Sequence, residues 1–237
     1  MSLLTTITAF CERSGLPVPP TVIGTTDVQI KQARALLEEE GNDLASRGPW
    51  QGITFEASHT TTAAEDQGAI TTIASNGFRY IKNDTIWDRT DTLPVLGPMS
   101  SQDWQALKAV SQTGPRYHYR IRGGKLLVNP TPAASHDWRF EYVSQNWILG
   151  IDGTTYKSLF TLDTDTLLLP ETLLIMGLRW RWMREKGFDY AELFRAYEMQ
   201  VKDALGRDGG KPTLHMDNRG TDGPTPGVFV PQYSWMQ

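Results

Sequence analysis

Four histidines, His59, His118, His136 and His215, are scattered along the chain. No two stand at the i, i+4 or His-x-His spacing that lets one segment present two metal ligands. Asp163-Thr164-Asp165 and Asp152 supply oxygen donors suited to calcium, but the glycine and terminal glutamate of an EF-hand loop are missing. Turn and cap roles account for these aspartates. Gly210-Lys211 ends like a phosphate-binding loop, yet Leu205 stands where its first glycine belongs and Pro212 where a hydroxyl must reach magnesium. No Gly-x-Ser-x-Gly elbow presents a serine nucleophile, and Cys11, beside Phe10 on an apolar helix face, reads as a small core residue. Acidic pairs occur at Glu38–Glu40 and Glu65-Asp66; on a helix or a turn they are most simply solvated. A glycosidase needs only that two carboxylates meet in space, so that chemistry stays open. The residues as a whole predict no catalytic centre, no cofactor and no metal.

Two cationic patterns stand out instead. Arg116, Arg120, Arg122 and Lys125 form a basic run with no acidic residue between 116 and 125. One reading is contact with DNA phosphates or an acidic partner; the other is a solvent-facing strand whose charges deter edge pairing. Arg179, Arg181 and Arg184 alternate with Trp180 and Trp182. On a helix the two tryptophans cannot share one narrow stripe, which predicts burial on more than one side, within the subunit or against a neighbour.

The 237 residues carry a net charge of −4 and are 39% hydrophobic, enough for a substantial core and contrary to a basic nucleic-acid module. A single cysteine excludes an intramolecular disulfide and a multi-cysteine zinc site. No apolar run approaches the roughly 18 residues a membrane helix needs, and residues 1–10 lack the basic start of a secretion signal. A soluble protein made inside the cell is the expectation.

Leu3, Ile7 and Phe10 keep helical spacing between a Ser2 cap and Gly15, and Pro17, Pro19 and Pro20 forbid continuation. A second helix is expected from Thr26, with Gln29 at capping-box distance, to about Arg47, its face of Glu38, Glu39, Glu40 and Asp43 solvated. From Gly48-Pro49 the period changes to that of strands, interrupted by one short helix capped at Ser101. Residues 117–122 and 125–128 alternate around Gly123-Gly124, which predicts a hairpin, and residues 138–142 alternate aromatic with charged side chains. Helical period returns at Pro170 and runs to Gly187. A final helix opens near Asp189, where Tyr190, Phe194, Tyr197, Val201 and Leu205 form one stripe. After Gly209-Gly210 periodicity ends, yet the tail closes with Val228, Phe229, Val230, Tyr233, Trp235 and Met236, apolar groups that ask for another surface. Fully extended, that tail would span roughly 100 Å.

The predicted class is α+β: an antiparallel helix bundle built from N- and C-terminal helices, an inserted β-rich domain and an extended C-terminal arm. The expected divisions are 1–49 (helical), 50–168 (β-rich), 169–208 (helical hairpin) and 209–237 (tail).

Order and spacing together resemble the head–tail adaptor (head-completion, or tail tubular A-like) proteins of short-tailed bacteriophages. The resemblance is carried by Phe10-Cys11-Glu12-Arg13-Ser14-Gly15-Leu16-Pro17-Val18-Pro19, Leu37-Glu38-Glu39-Glu40-Gly41 and Asn83-Asp84-Thr85-Ile86-Trp87-Asp88-Arg89. It continues through Gly114-Pro115, Tyr119-Arg120-Ile121-Arg122-Gly123-Gly124 and Asp152-Gly153-Thr154-Thr155-Tyr156-Lys157-Ser158. It closes with Gly177-Leu178-Arg179-Trp180-Arg181-Trp182 and Asp208-Gly209-Gly210-Lys211-Pro212.

Such a resemblance implies a structural, non-enzymatic protein of the virion neck, made in the host bacterial cytoplasm. It implies a ring of neighbouring adaptor subunits, usually a dodecamer, between the portal protein and the tail nozzle protein. The helices would form the wall and the C-terminal arm would reach the portal. DNA would pass through the lumen without specific binding. The resemblance covers most of residues 1–213; from composition alone, Val228, Phe229, Val230, Tyr233, Trp235 and Met236 are the expected anchors on the portal, ordered on docking from a mobile state in a monomer. Arg179, Trp180 and Trp182 are candidates for packing between subunits, and Arg116, Arg120, Arg122 and Lys125 for touching DNA or an acidic partner. The rival expectations are a carbohydrate-binding or glycan-cleaving tail component and a DNA-binding packaging factor.

Overall fold

The computed structural model describes residues 2–110 and 116–209. Its helices are α1 (Leu3–Ser14), α2 (Val28–Ser46), α3 (Ile70–Ile73), α4 (Ser101–Ala109), α5 (Glu171–Glu185) and α6 (Ala191–Asp208). Its strands are β1 (Thr54–Thr60), β2 (Asp66–Ala69), β3 (Tyr80–Ile81), β4 (Trp87–Asp88), β5 (Leu93–Pro94), β6 (His118–Arg122), β7 (Lys125–Asn129), β8 (Asp137–Val143), β9 (Ile148–Leu149), β10 (Tyr156–Lys157) and β11 (Thr166–Leu167). Mixed helices and antiparallel strand pairs make the class α+β. The tail beyond residue 209, with the six apolar residues expected to act as anchors, lies outside the described residues.

The chain divides into two compact units. The first takes residues up to Ala57, then Ala69–Lys82 and Glu141–Gly209. Its helices begin where side chains satisfy the free N–H groups. Ser2 accepts from the Thr5 amide at the start of α1, in a reciprocal capping box, and Gly15 ends that helix at φ 67°. For α2 the cap is Asp27, which accepts from the Gln29 amide at 2.8 Å, one residue later than the Thr26 start expected. Within this unit α5 packs on α1, α2 and α6. Leu3, Ile7, Phe10, Ile30, Leu37, Leu44, Trp50, Trp147, Leu174, Leu178, Trp180, Trp182 and Tyr197 meet in its core.

Two close approaches depend on glycine. A Cβ on Gly41 of α2 would come 2.1 Å from the Trp147 ring, and one on Gly177 of α5 would come 2.1 Å from the Glu40 carboxyl carbon. Threonines 71 and 72, which suggest a strand, lie instead in the single turn of α3.

The loop between β10 and β11 is an aspartate-organised knot in the first unit. Asp163 accepts from the amides of Val22 (3.1 Å) and Ile23 (2.7 Å). Asp165, its side chain buried, accepts from the amides of Thr161 (2.8 Å) and Leu162 (3.0 Å) and pairs with Lys157 at 2.7 Å. Burial alone would raise the Asp165 pKa, but Lys157 and the two amides outweigh it and hold the group below the usual carboxylate value. A folded-state pKa below the unfolded one contributes stability above the unfolded value, and that contribution is lost as pH falls through the folded value. Asp165→Asn is therefore expected to lower stability at neutral pH and to flatten the acid limb below pH 3.8. Urea unfolding at pH 7 and pH 3 checks this; parallel pH profiles for the two chains would contradict it.

The second unit takes Ser58–Gly68 and Asn83–Phe140. Strands β6 and β7 form the expected hairpin, with Arg122 opposite Lys125 and Gly123 and Gly124 at φ 59° and 73°. Two consecutive left-handed residues are what a type I′ turn requires, and glycine adopts them without a Cβ clash. Strand β2 lies on the other side of β7. Helix α4 is capped by Ser100 rather than Ser101, through the Asp103 amide at 3.1 Å. In β8, Trp138, Phe140 and Tyr142 are buried, as the alternation predicted. The first half of that strand pairs with β4 here and its last residues pair with β3 in the first unit.

Candidate interaction surfaces

The basic hairpin is partly neutralised by residues remote in sequence. Lys125 Nζ pairs with Asp66 at 2.5 Å and Lys108 Nζ with Glu65 at 2.6 Å, while Arg120 donates to the Ser101 hydroxyl at 2.7 Å. Arg116 and Arg122 are exposed. Glu65, Asp66, Lys108, Arg122, Lys125 and Leu127 line an open depression of about 370 Å³. The acidic pair Glu65-Asp66, visible in the sequence as turn carboxylates, is the part that sequence reasoning left unconnected to this face. Lys125 holds the Asp66 carboxyl below its usual range, assisted by the Gly68 amide. Mixed charge of this kind suits a specific partner surface better than a uniform phosphate track.

The arginine–tryptophan helix resolves differently. Trp180 and Trp182 are both buried within their own subunit, on different sides. Trp182 meets Phe10 of α1 edge-on at 5.5 Å, and Trp180 meets Phe194 and Tyr197 of α6 at 5.0 and 6.2 Å. Arg179 is half-buried. Neither tryptophan offers a free face; the open apolar surface lies next to them. Around the α5–α6 turn at Gly187, Phe188 is 62% exposed, Tyr190 39% and Phe194 38%. Helix α6 buries only Tyr197 and Val201 of its expected stripe. Phe188 was missed because it lies outside both helical periods.

Between these tryptophans Arg181, 5% exposed, is surrounded by α2 carboxylates. Its Nε donates to Glu40 at 2.6 Å, one terminal nitrogen to Asp43 at 3.1 Å and the other to Glu39. Glu40 is fully buried, contrary to the solvated face expected, and also accepts from the Tyr197 hydroxyl. Burial pushes the Glu40 pKa up against the lowering hydrogen bonds of Tyr197 and Arg181, and burial beside Glu40 pushes Tyr197 up as well. Arg47 extends the network to Asp43 (2.9 Å) and Glu198 (2.5 Å). This arrangement ties α2, α5 and α6 together through one arginine, with Glu40 fully enclosed and Glu39 and Asp43 reaching solvent.

In the second unit Asp88, Asp91 and His136 converge although their spacing gave no sign of it. His136 Nδ1 lies 2.7 Å from Asp88 Oδ2 and 3.6 Å from Asp91 Oδ2. Asp88 Oδ1 accepts from the amides of Thr90 and Asp91, and the His136 amide donates to Thr61 Oγ1 at 3.0 Å. Burial alone would raise the Asp88 pKa; His136, the two amides and the facing Trp138 indole bring it below the usual value. The Trp138 N–H faces Asp88 but lies outside hydrogen-bond geometry. Asp88 in turn raises His136.

Among the described residues no helix is long and apolar enough to cross a membrane. No curated protein matched the chain. The model of one family, described as SU10 adaptor protein, matches residues 2–224, so the chain belongs to the SU10 adaptor family and is a structural adaptor of a bacteriophage virion.

Proposed function

We propose that this adaptor acts by assembly alone: subunits close into a ring, a dodecamer, that joins the portal to the tail nozzle and leaves a channel for DNA. The helices of an antiparallel bundle form the ring wall, the β-rich residues lie between them in sequence, and no step of the function is catalytic. What carries the reading is the apolar surface left open at the α5–α6 turn of a chain that belongs to an adaptor family, with Phe188, Tyr190 and Phe194 exposed. A heterologous ring contact needs such a patch on each subunit, facing a different patch on the next. Within the ring the tail residues Val228, Phe229, Val230, Tyr233, Trp235 and Met236 serve as anchors on the portal, filling pockets as buried aromatic hot spots do.

Mixing purified portal with the full chain and with a chain lacking residues 209–237 tests the anchors. The truncated chain is expected to lose portal binding; binding at full strength would overturn the tail's role. Electron micrographs of the full-chain mixture test the ring, and bound but unclosed subunits would overturn it. The alternative of a DNA-binding packaging factor is disfavoured by the carboxylates already seated on Lys108 and Lys125. Gel retardation by the isolated chain at physiological salt is expected to be absent. Salt-dependent retardation, lost on charge reversal at Arg116, Arg120 and Arg122, would favour that alternative.

A further inference from the structure

We propose that Asp88, Asp91 and His136 form a divalent-metal site for a borderline transition cation such as Zn²⁺. One imidazole nitrogen faces two carboxylates, and the single proton it can carry serves only one of them. Asp88 Oδ2 takes it at 2.7 Å, leaving Asp91 Oδ2 at 3.6 Å. A divalent cation in place of that proton satisfies both oxygens and the nitrogen together, and neutralises the two carboxylate charges. The three donor atoms already lie within 4.8 Å of one another. A tetrahedral zinc site places neighbouring ligand atoms about 3.3 Å apart, so the observed separations need only small side-chain adjustments.

The chemistry of the donors selects the ion. One imidazole nitrogen with two carboxylate oxygens suits Zn²⁺ and its transition-metal neighbours better than calcium, which prefers six or more oxygens. The surroundings are built for a fixed site. Asp88 is fully buried and its second oxygen is held by two amides, while Thr61 fixes the His136 backbone. The Trp138 indole N–H, buried beside Asp88, has no acceptor among the described residues. Asp91 is 44% exposed, so water reaches the edge of the cluster. An ion here would tie the turn after β4 to the segment before β8.

The full chain, stripped with a chelator, is equilibrated with ZnCl₂, desalted and assayed for bound metal, with Co²⁺ as the spectroscopic probe. One Zn²⁺ per chain is expected, with a raised unfolding midpoint and visible Co²⁺ bands of a nitrogen–oxygen site. Asp91→Asn, at an exposed position, is expected to keep the metal-free midpoint and to bind Zn²⁺ about tenfold or more weakly. His136→Asn should lose the Co²⁺ bands. No retained metal, or Asp91→Asn binding as tightly as the unaltered chain, overturns the site.

Discussion

Arg181→Met is expected to lower the stability of the protein by about 3–5 kcal/mol, because it strands a buried charge. The guanidinium is 5% exposed and serves Glu39, Glu40 and Asp43 at once, and Glu40 has no solvent to turn to. Methionine replaces the aliphatic stem but none of the donors, leaving Glu40 only the Tyr197 hydroxyl. The size of the loss follows from this asymmetry: an intact buried pair contributes little net stability, while half of one is costly. Two further measurements separate this cause from poor packing. Glu40→Gln in the Arg181→Met background should restore much of the loss, since it removes the stranded charge. The deficit should also shrink as pH falls, because burial already raises the Glu40 pKa, and a group with a raised folded pKa contributes its stability at low pH. Urea denaturation of the three chains at pH 5 and pH 8 reads both effects. A single variant within about 0.5 kcal/mol of the unaltered chain would show that the cluster is dispensable.

Trp147→Ala is the second large effect, again about 3–5 kcal/mol. The indole is fully buried, donates to Asn42 at 2.9 Å and meets Phe160 edge-on at 5.3 Å. It fills the space that Gly41 leaves by lacking a Cβ. The same contact gives Gly41→Ala a sign that depends on its neighbour. With the ring present the new methyl collides with it and destabilises by about 1–3 kcal/mol. In the Trp147→Ala background the methyl enters vacated space, and the helix gains the roughly 1 kcal/mol by which alanine exceeds glycine. A double-mutant cycle by urea denaturation measures this reversal, and additive effects would rule out the contact.

What the sequence discloses here is mostly local. The α1 caps, the Gly123-Gly124 hairpin and the alternation of β8 each depend on residues a few positions apart, and each occurs where its pattern indicates. On the acidic face of α2, Glu39 is exposed as expected, but Glu40 deceives because the partner that makes its burial tolerable, Arg181, is 141 residues away. The α6 stripe overstates burial because periodicity marks which residues share a face and says nothing of how wide a neighbour covers it; Tyr190 and Phe194 stay partly open. The two-residue strands β3, β4, β5, β9, β10 and β11 are too short to carry a period. The hairpin's acidic partners and the Asp88–Asp91–His136 cluster are long-range meetings that composition cannot announce. Of the candidate surface, the cationic side chains were legible and the carboxylates that temper them were not.

The enclosure of the indole rings gives the protein a built-in optical label. Trp50, Trp147, Trp180 and Trp182 belong to the first unit, Trp104 and Trp138 to the second, and all six are shielded from water. Their emission should be blue-shifted in the native chain and move to the red when either unit opens. Phenylalanine at Trp104 and Trp138 would silence the buried emitters of the second unit. The remaining buried signal would then show whether the two halves of the molecule melt as one event or in succession.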